Sequence, residues 1–235
     1  MVYAMSDIHG CYRKYMDMLS EISFSSDDTL YVIGDVLDRG PEPMKVLHDM
    51  SIRANVLPLL GNHEHIAYSV LSRLLFELTD ENIKTHFGAD LMDFYERLGY
   101  WTAIGGETTL LEFAKLPIAE REYMLEYLSE FSLYETVKAG GKRYILTHAG
   151  LPEGAALENL DSFDAYDFVM AETDYDRQYF DDVYLVTGHI PTLAIDKQYN
   201  GRILRKNNNI AIDGGAVFGG MLACICLDTG EEFYV

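Results

Sequence analysis

The chain has 235 residues, 49% of them hydrophobic, and a formal charge of −20 from 18 Lys and Arg against 38 Asp and Glu. That length supports one sizeable core, and no apolar run approaches the roughly 20 residues that a membrane helix requires, so no membrane partner is expected. Few, scattered cations also exclude a surface built for a nucleic-acid backbone, whereas a phosphate substrate stays admissible because carboxylates gathered around metal ions are neutralised locally.

Nothing in the composition marks a second domain, so residues 1–235 are read as one domain. The first residues, Met1 to Ser6, carry neither a basic leader nor an extended apolar segment, and the cytoplasm is the expected compartment. Cys11, Cys224 and Cys226 are few and odd in number, and the last two share one face of an expected strand, which suits free thiols better than a disulfide.

In chain order, Val2 to Met5, Leu30 to Ile33 and Asn55 to Leu59 read as strands, with helices from about Tyr12 to Ile22 and Pro43 to Met50 between them. That alternation is the signature of βαβ units. Each strand runs into a polar or glycine-containing cluster: Ser6-Asp7-Ile8-His9-Gly10, Gly34-Asp35-Val36-Leu37-Asp38-Arg39-Gly40 and Gly61-Asn62-His63-Glu64. Ligands of α/β sheets bind beyond the carboxyl ends of strands, where these clusters fall.

From about Glu64 to Glu130 the pattern is mostly helical and reads as an insertion or cap. Leu71, Leu74, Leu75 and Leu78 are spaced as one apolar face, Tyr123, Leu125, Tyr127 and Leu128 support a later helix, and Gly105-Gly106 and Leu116-Pro117 interrupt. Strands return at Leu133 to Lys138 and Arg143 to Thr147, joined as a hairpin through Ala139-Gly140-Gly141-Lys142. Further strands are expected at Val183 to Thr187, Asn209 to Ile212, Leu222 to Leu227 and Glu231 to Val235.

Asp7 and His9 stand two apart after the first strand, where both can grip one ion. Asp35 follows the second strand and, with two oxygens, can bridge two cations. Asn62 adds an amide oxygen after the third, and His148 and His189 add imidazole nitrogens after later strands. This mixed nitrogen and oxygen set suits manganese, iron, zinc or similar ions rather than the all-oxygen shell of calcium or magnesium. A lone Asp or His at a strand end is usually a cap or turn residue. Five strand-ending loops that all carry ligand types argue for a metal centre. His48, His65 and His86 fall outside the set, His65 near a helix start and the others on the surface.

The segments Asp7-Ile8-His9-Gly10, Gly34-Asp35-Val36-Leu37-Asp38-Arg39-Gly40, Gly61-Asn62-His63-Glu64, His148-Ala149-Gly150 and Gly188-His189 resemble, in order, the motifs of the calcineurin-like metallophosphoesterases. The Asp-Arg-Gly ending of the second points to their phosphoprotein phosphatase branch, which holds serine/threonine phosphatases and symmetrical dinucleoside tetraphosphatases. The resemblance implies an α/β sandwich of two mixed β-sheets flanked by helices, with a helical insertion at about 64–130. It also implies two divalent metal ions, manganese first with iron, zinc or nickel as alternatives: Asp7 and His9 on the first, Asp35 bridging, and Asn62, His148 and His189 on the second. Such a pair polarises a phosphoryl group and supplies hydroxide at neutral pH.

Within the resembling motifs, Asp38 is placed to accept a hydrogen bond from His63, which would favour the imidazolium and let His63 protonate the leaving group. Arg39 presents a fork that matches two phosphate oxygens. Relatives commonly carry Trp-x-Arg before the last histidine motif, where this chain reads Phe168-Val169-Met170-Ala171-Glu172; Arg177 is the substitute candidate for phosphate binding. Tyr166, Tyr175, Tyr179 and Tyr184 suit packing, with nucleobase stacking as the alternative, and Asp213 is read as a turn residue.

The leading expectation is a metal-dependent phosphatase acting on phosphorylated proteins or small phosphate esters. The runner-up is a symmetrical dinucleoside tetraphosphatase, since Trp101 to Gly106 with Thr108 resembles a glycine pair of those relatives. A reading from another class is a catalytically weakened metal protein with a regulatory role, suggested by Glu172 and the acidic surface.

Overall fold

The computed structural model describes residues 1–75, 79 and 83–235. Strand β1 (Val2–Met5) leads to helix α1 (Tyr12–Glu21), then β2 (Thr29–Ile33), α2 (Pro43–Ser51), β3 (Val56–Leu59) and α3 (Asn62–Leu71). Among the described residues there follow α4 (Ile83–Phe87), α5 (Leu91–Trp101), α6 (Glu107–Phe113) and α7 (Ile118–Ser129), with Thr102–Gly106 joining α5 to α6 across a kink at Gly105. The chain then returns to β4 (Tyr134–Ala139), β5 (Lys142–Thr147), α8 (Ala165–Val169), β6 (Val183–Thr187), α9 (Thr192–Ile195), β7 (Leu204–Lys206), β8 (Asn209–Ala211), β9 (Ala223–Cys226) and β10 (Glu232–Tyr234).

These strands form two five-stranded mixed sheets, in the orders β10-β9-β1-β2-β3 and β4-β5-β6-β8-β7. In the first, β1, β2 and β3 are parallel and β9 is antiparallel to β1. Period-two alternation distributes the side chains. Ala4, Ile33, Leu59 and Ile225 turn toward Leu146, Val186 and Ile210 of the other sheet, while Tyr3, Met5, Leu30 and Val32 face a helical layer containing Tyr15, Met18, Val46 and Leu47. With both faces covered, the strand ends converge at one rim, and the candidate site lies there.

The strand absent from the expectation is β7, three residues long with two of them exposed. It pairs with β8 through Asn207-Asn208, both at positive φ, 51° and 59°. A two-residue hairpin needs that conformation, and asparagine tolerates it. Gly140-Gly141 make the expected hairpin turn the same way, at 54° and 76°.

The apolar face expected over Leu71, Leu74, Leu75 and Leu78 is not one helix face, because α3 stops at Leu71; Leu78 lies outside the described residues. In α7 the buried positions are Met124, Leu125 and Leu128, and Tyr123 is exposed. All three cysteines are free, with Cys224 and Cys226 buried in β9. Among the described residues no helix is long and apolar enough to cross a membrane.

Candidate metal centre

Six residues at the strand ends, Asp7, His9, Asp35, Asp38, Arg39 and His189, have φ between 44° and 69°. For a non-glycine residue this left-handed region is disfavoured by about 1–2 kcal/mol. Neighbouring glycines leave the room it needs. At Gly188 an added Cβ would stand 2.2 Å from Asp7 Oδ2, and at Gly61 it would stand 2.4 Å from the backbone nitrogen of Asp35.

The Glu64 carboxylate, fully buried at the start of α3, supports the Asp35 loop from below. It accepts backbone hydrogen bonds from Asp35 at 2.7 Å, Val36 and Leu37 at 2.9 Å each, and Gly61 at 3.1 Å. Burial pushes its carboxyl up to about 7, and those donors pull against the rise. The sequence reading assigned Glu64 no role, although it sits inside a quoted motif.

The histidine tautomers follow from their partners, since a carbonyl can only accept. His9 Nδ1 donates to Leu37 O at 2.8 Å and His148 Nδ1 to Ile33 O at 3.0 Å, leaving each Nε2 with a lone pair. His148 Nε2 lies 3.0 Å from Asn62 Oδ1, 3.2 Å from His189 Nδ1 and 3.3 Å from Asp35 Oδ1. His189 Nδ1 is 3.1 Å from Asn62 Oδ1. His9 Nε2 lies 3.4 Å from Asp35 Oδ2. Burial pulls all of these imidazoles down, His9 and His148 well below the ordinary range, which favours their uncharged form. Burial also pushes Asp7 and Asp35 well above theirs. Converging lone pairs of neutral imidazole and carboxylate oxygen are a donor set that a divalent cation satisfies, lowering the carboxyl pKa values in the same step.

Among the described residues, two groups place their ligand atoms within 4.8 Å of one another: His9, Asp35 and His63, and Asp35, His148 and His189. Asp35 belongs to both, as a bridging carboxylate would. Asp7 is in neither group; its two oxygens accept from the His189 backbone N–H at 3.2 and 3.0 Å. Asp213, buried nearby, accepts from Gly215 N at 2.7 Å in a turn, and burial pushes its carboxyl up to about 6.

His63 Nδ1 lies 2.7 Å from Asp38 Oδ2, and its buried Nε2 has no hydrogen-bond partner among the described residues. Burial lowers its pKa, and the Asp38 hydrogen bond raises it. Arg39 Nη1 donates to His9 Nε2, and its guanidinium lies 5.3 Å from the ring centroid of Phe218, which is 67% exposed. Asp38 also accepts from Trp101 and Thr109. No signal in the sequence singled out Trp101, Thr109 or Phe218 as partners of these residues.

Arg177 is not brought to this cluster. Its guanidinium stacks 4.8 Å from the Tyr179 ring centroid and lines an acidic cavity of about 500 Å³ with Glu153, Asp167, Glu172 and Asp174. Glu172 is half-buried, and its charge opposes the lowering that burial imposes on the His189 imidazole.

A family profile described as calcineurin-like phosphoesterase matches residues 1–220. The symmetrical bis(5'-nucleosyl)-tetraphosphatase of Acidovorax ebreus (strain TPSY) is 31% identical over 163 residues, 68% of this chain and 47% of that protein. The asymmetrical bis(5'-nucleosyl)-tetraphosphatase PrpE of Geobacillus thermodenitrificans (strain NG80-2) is 25% identical, covering 94% of this chain and 88% of that one. Serine/threonine-protein phosphatase 2 of Salmonella typhimurium is 28% identical over 65% of this chain and 59% of its own. The chain thus spans about half the length of the symmetrical relative. A crystal structure provisionally assigned as a diadenosine tetraphosphatase superposes with a TM-score of 0.64 at 18% identity, over 100% of this chain and 92% of that one. The sandwich of two mixed sheets, the shared carboxylate with converging imidazoles and the match over residues 1–220 agree: the chain belongs to the calcineurin-like phosphoesterases, a family of metal-dependent phosphoester hydrolases.

Proposed function

We propose that this chain is a two-metal phosphoesterase that hydrolyses phosphate monoesters, with phosphoserine and phosphothreonine in proteins as its leading substrate class. The observation that carries the reading is the pairing of two donor groups around one carboxylate, Asp35, with an Asp38–His63 pair beside them. Asp7, His9 and Asp35 would hold one ion and Asp35, Asn62, His148 and His189 the other; manganese is the first candidate. Such cations supply Lewis acidity toward the phosphoryl oxygens and lower the pKa of water.

The protein groups supply the rest. Arg39, anchored on the Ile104 carbonyl and beside the Phe218 ring, can bind two phosphoryl oxygens with its fork. His63 holds a proton on Nε2 for the departing oxygen, while Asp38 fixes the ring through Nδ1 and favours the charged form. The exposed Glu172, whose charge acts on His189, would weigh more against a polyphosphate chain than against a monoester.

A second reading, dinucleoside tetraphosphate hydrolysis, is supported by the two tetraphosphatase relatives and by Phe218, whose exposed face beside Arg39 could stack a nucleobase. Metal-stripped protein reconstituted with manganese, iron(II), zinc or magnesium, assayed on p-nitrophenyl phosphate, a phosphoserine peptide and diadenosine tetraphosphate, separates the readings. A preference for the peptide supports the first. Two nucleoside diphosphates as products support the symmetrical reading, and a triphosphate plus a monophosphate the asymmetrical one. No turnover with any metal, despite two bound ions per chain, refutes both and leaves a metal-binding regulatory protein.

A further inference from the structure

Asp38 is completely buried, and its carboxylate is held from the helical region between β3 and β4 as well as by His63. Oδ2 accepts from Trp101 Nε1 at 2.7 Å, the same distance as to His63 Nδ1, and Oδ1 accepts from Thr109 Oγ1 at 2.6 Å. The Thr109 hydroxyl in turn accepts from the Asp38 backbone N–H at 2.9 Å. Each oxygen is thereby pinned by a donor from 63 or 71 residues away, and the ring of His63 can meet Oδ2 only in the orientation these donors leave open.

The same segment holds the next residue. Arg39 donates its backbone N–H to Gly105 O at 2.9 Å and its Nε to Ile104 O at 3.3 Å. Asp38 and Arg39 sit at φ 69° and 66°, a conformation that needs restraint from outside the loop. Close packing supplies it. A Cβ on Gly106 would stand 2.4 to 2.5 Å from the Trp101 indole, and one on Gly105, itself at φ 116°, would stand 2.6 Å from Arg39 Cγ. The chain kinks at Gly105, and Trp101 and Thr109 reach Asp38 from the two helices on either side of the kink.

We infer that Trp101 and Thr109 are positioning residues for proton donation: by clamping Asp38 they set the direction of the His63 ring, and the helical region is part of the reaction machinery rather than only a wall of the cleft. This rests on the proposed role of His63 as donor to the leaving group. Leaving groups of high pKa need that proton and those of low pKa do not, so a loose ring slows the former selectively. A role in folding alone would slow all substrates equally.

The test uses the metal-loaded full chain carrying Trp101→Phe, which keeps a large aromatic ring but lacks the N–H, or Thr109→Val, which keeps the shape but lacks the hydroxyl, with Thr109→Ser as rescue. Turnover is measured on p-nitrophenyl phosphate and on a phosphoserine peptide, with bound metal per chain as a control. The expected loss in kcat is about 10- to 100-fold on the peptide and within about threefold on the nitrophenyl ester, with metal content unchanged and the serine variant restored. Equal losses on both substrates, or none, overturn the inference, and either variant suffices if the other fails to fold. His63→Ala, run alongside, separates the failures. If it shows the leaving-group-selective loss and the Trp101 and Thr109 variants do not, only the positioning role falls. If His63→Ala is as active as wild type on the peptide, or wild type turns over nothing, the proposed reading falls and takes this inference with it.

Discussion

Glu64 Oε2 lies 2.7 Å from the backbone nitrogen of Asp35, so a buried carboxylate in the first turn of one helix sets the position of the residue that both candidate ion groups share. Each of its oxygens takes two backbone donors, Asp35 and Gly61 on Oε2, Val36 and Leu37 on Oε1. Glu64→Gln replaces one acceptor with an N–H₂ that faces donors. The expected cost is about 1–3 kcal/mol of stability, read by denaturant unfolding of the metal-free protein. A change below about 0.5 kcal/mol, the size of an ordinary surface substitution, would show that the loop does not depend on this carboxylate.

Asp35→Asn removes the only charge common to both groups while preserving shape. It is expected to lose both ions and activity together, measured by elemental analysis of dialysed protein beside a phosphatase assay. Retention of two ions per chain would rule out the bridging role.

His63 lies in one candidate donor group, with Nε2 3.9 Å from Asp35 Oδ2, and is also the proposed proton donor. The two roles diverge on removal. His63→Ala is expected to keep two ions per chain and to lose turnover by about 100-fold or more on the phosphoserine peptide. Loss of one ion would make His63 a ligand instead.

Two glycines form a matched pair. At Gly188 an added Cβ would stand 2.2 Å from Asp7 Oδ2, whereas Gly99, in α5, has nothing among the described residues within 4 Å of that position. Gly188→Ala should displace Asp7 and weaken metal retention. Gly99→Ala should stabilise by about 0.5–1 kcal/mol through helix propensity, with activity unchanged. Equal metal content and stability in both variants would contradict the packing around Asp7.

Glu172 is exposed, so its effect on an anionic substrate should be screened by salt. Glu172→Gln is expected to lower KM for p-nitrophenyl phosphate by about two- to fivefold at low ionic strength, converging on wild type near 1 M salt. An unchanged KM at low salt would remove this residue from the account of substrate choice.

The order and types of the chemical residues were legible in the sequence by itself. Apolar runs of strand length ending in Asp7, Asp35, Asn62, His148 and His189 announced strands with donor-type side chains at their ends, because period and residue chemistry are local properties, whereas the sandwich was implied only by the family resemblance of the motifs. Arg177, offered as the stand-in for the arginine missing where this chain reads Phe168 to Glu172, places its guanidinium against the Tyr179 ring, a contact no local pattern announces. Only the tertiary structure decided how Asp7 meets the His189 backbone across 182 positions, how Glu64 gathers four backbone donors, and how Trp101 and Thr109 close on Asp38. Hydrogen bonds of that range form only once the two sheets and the helices have packed, and the left-handed backbone at the strand ends is held by that packing against its own local preference.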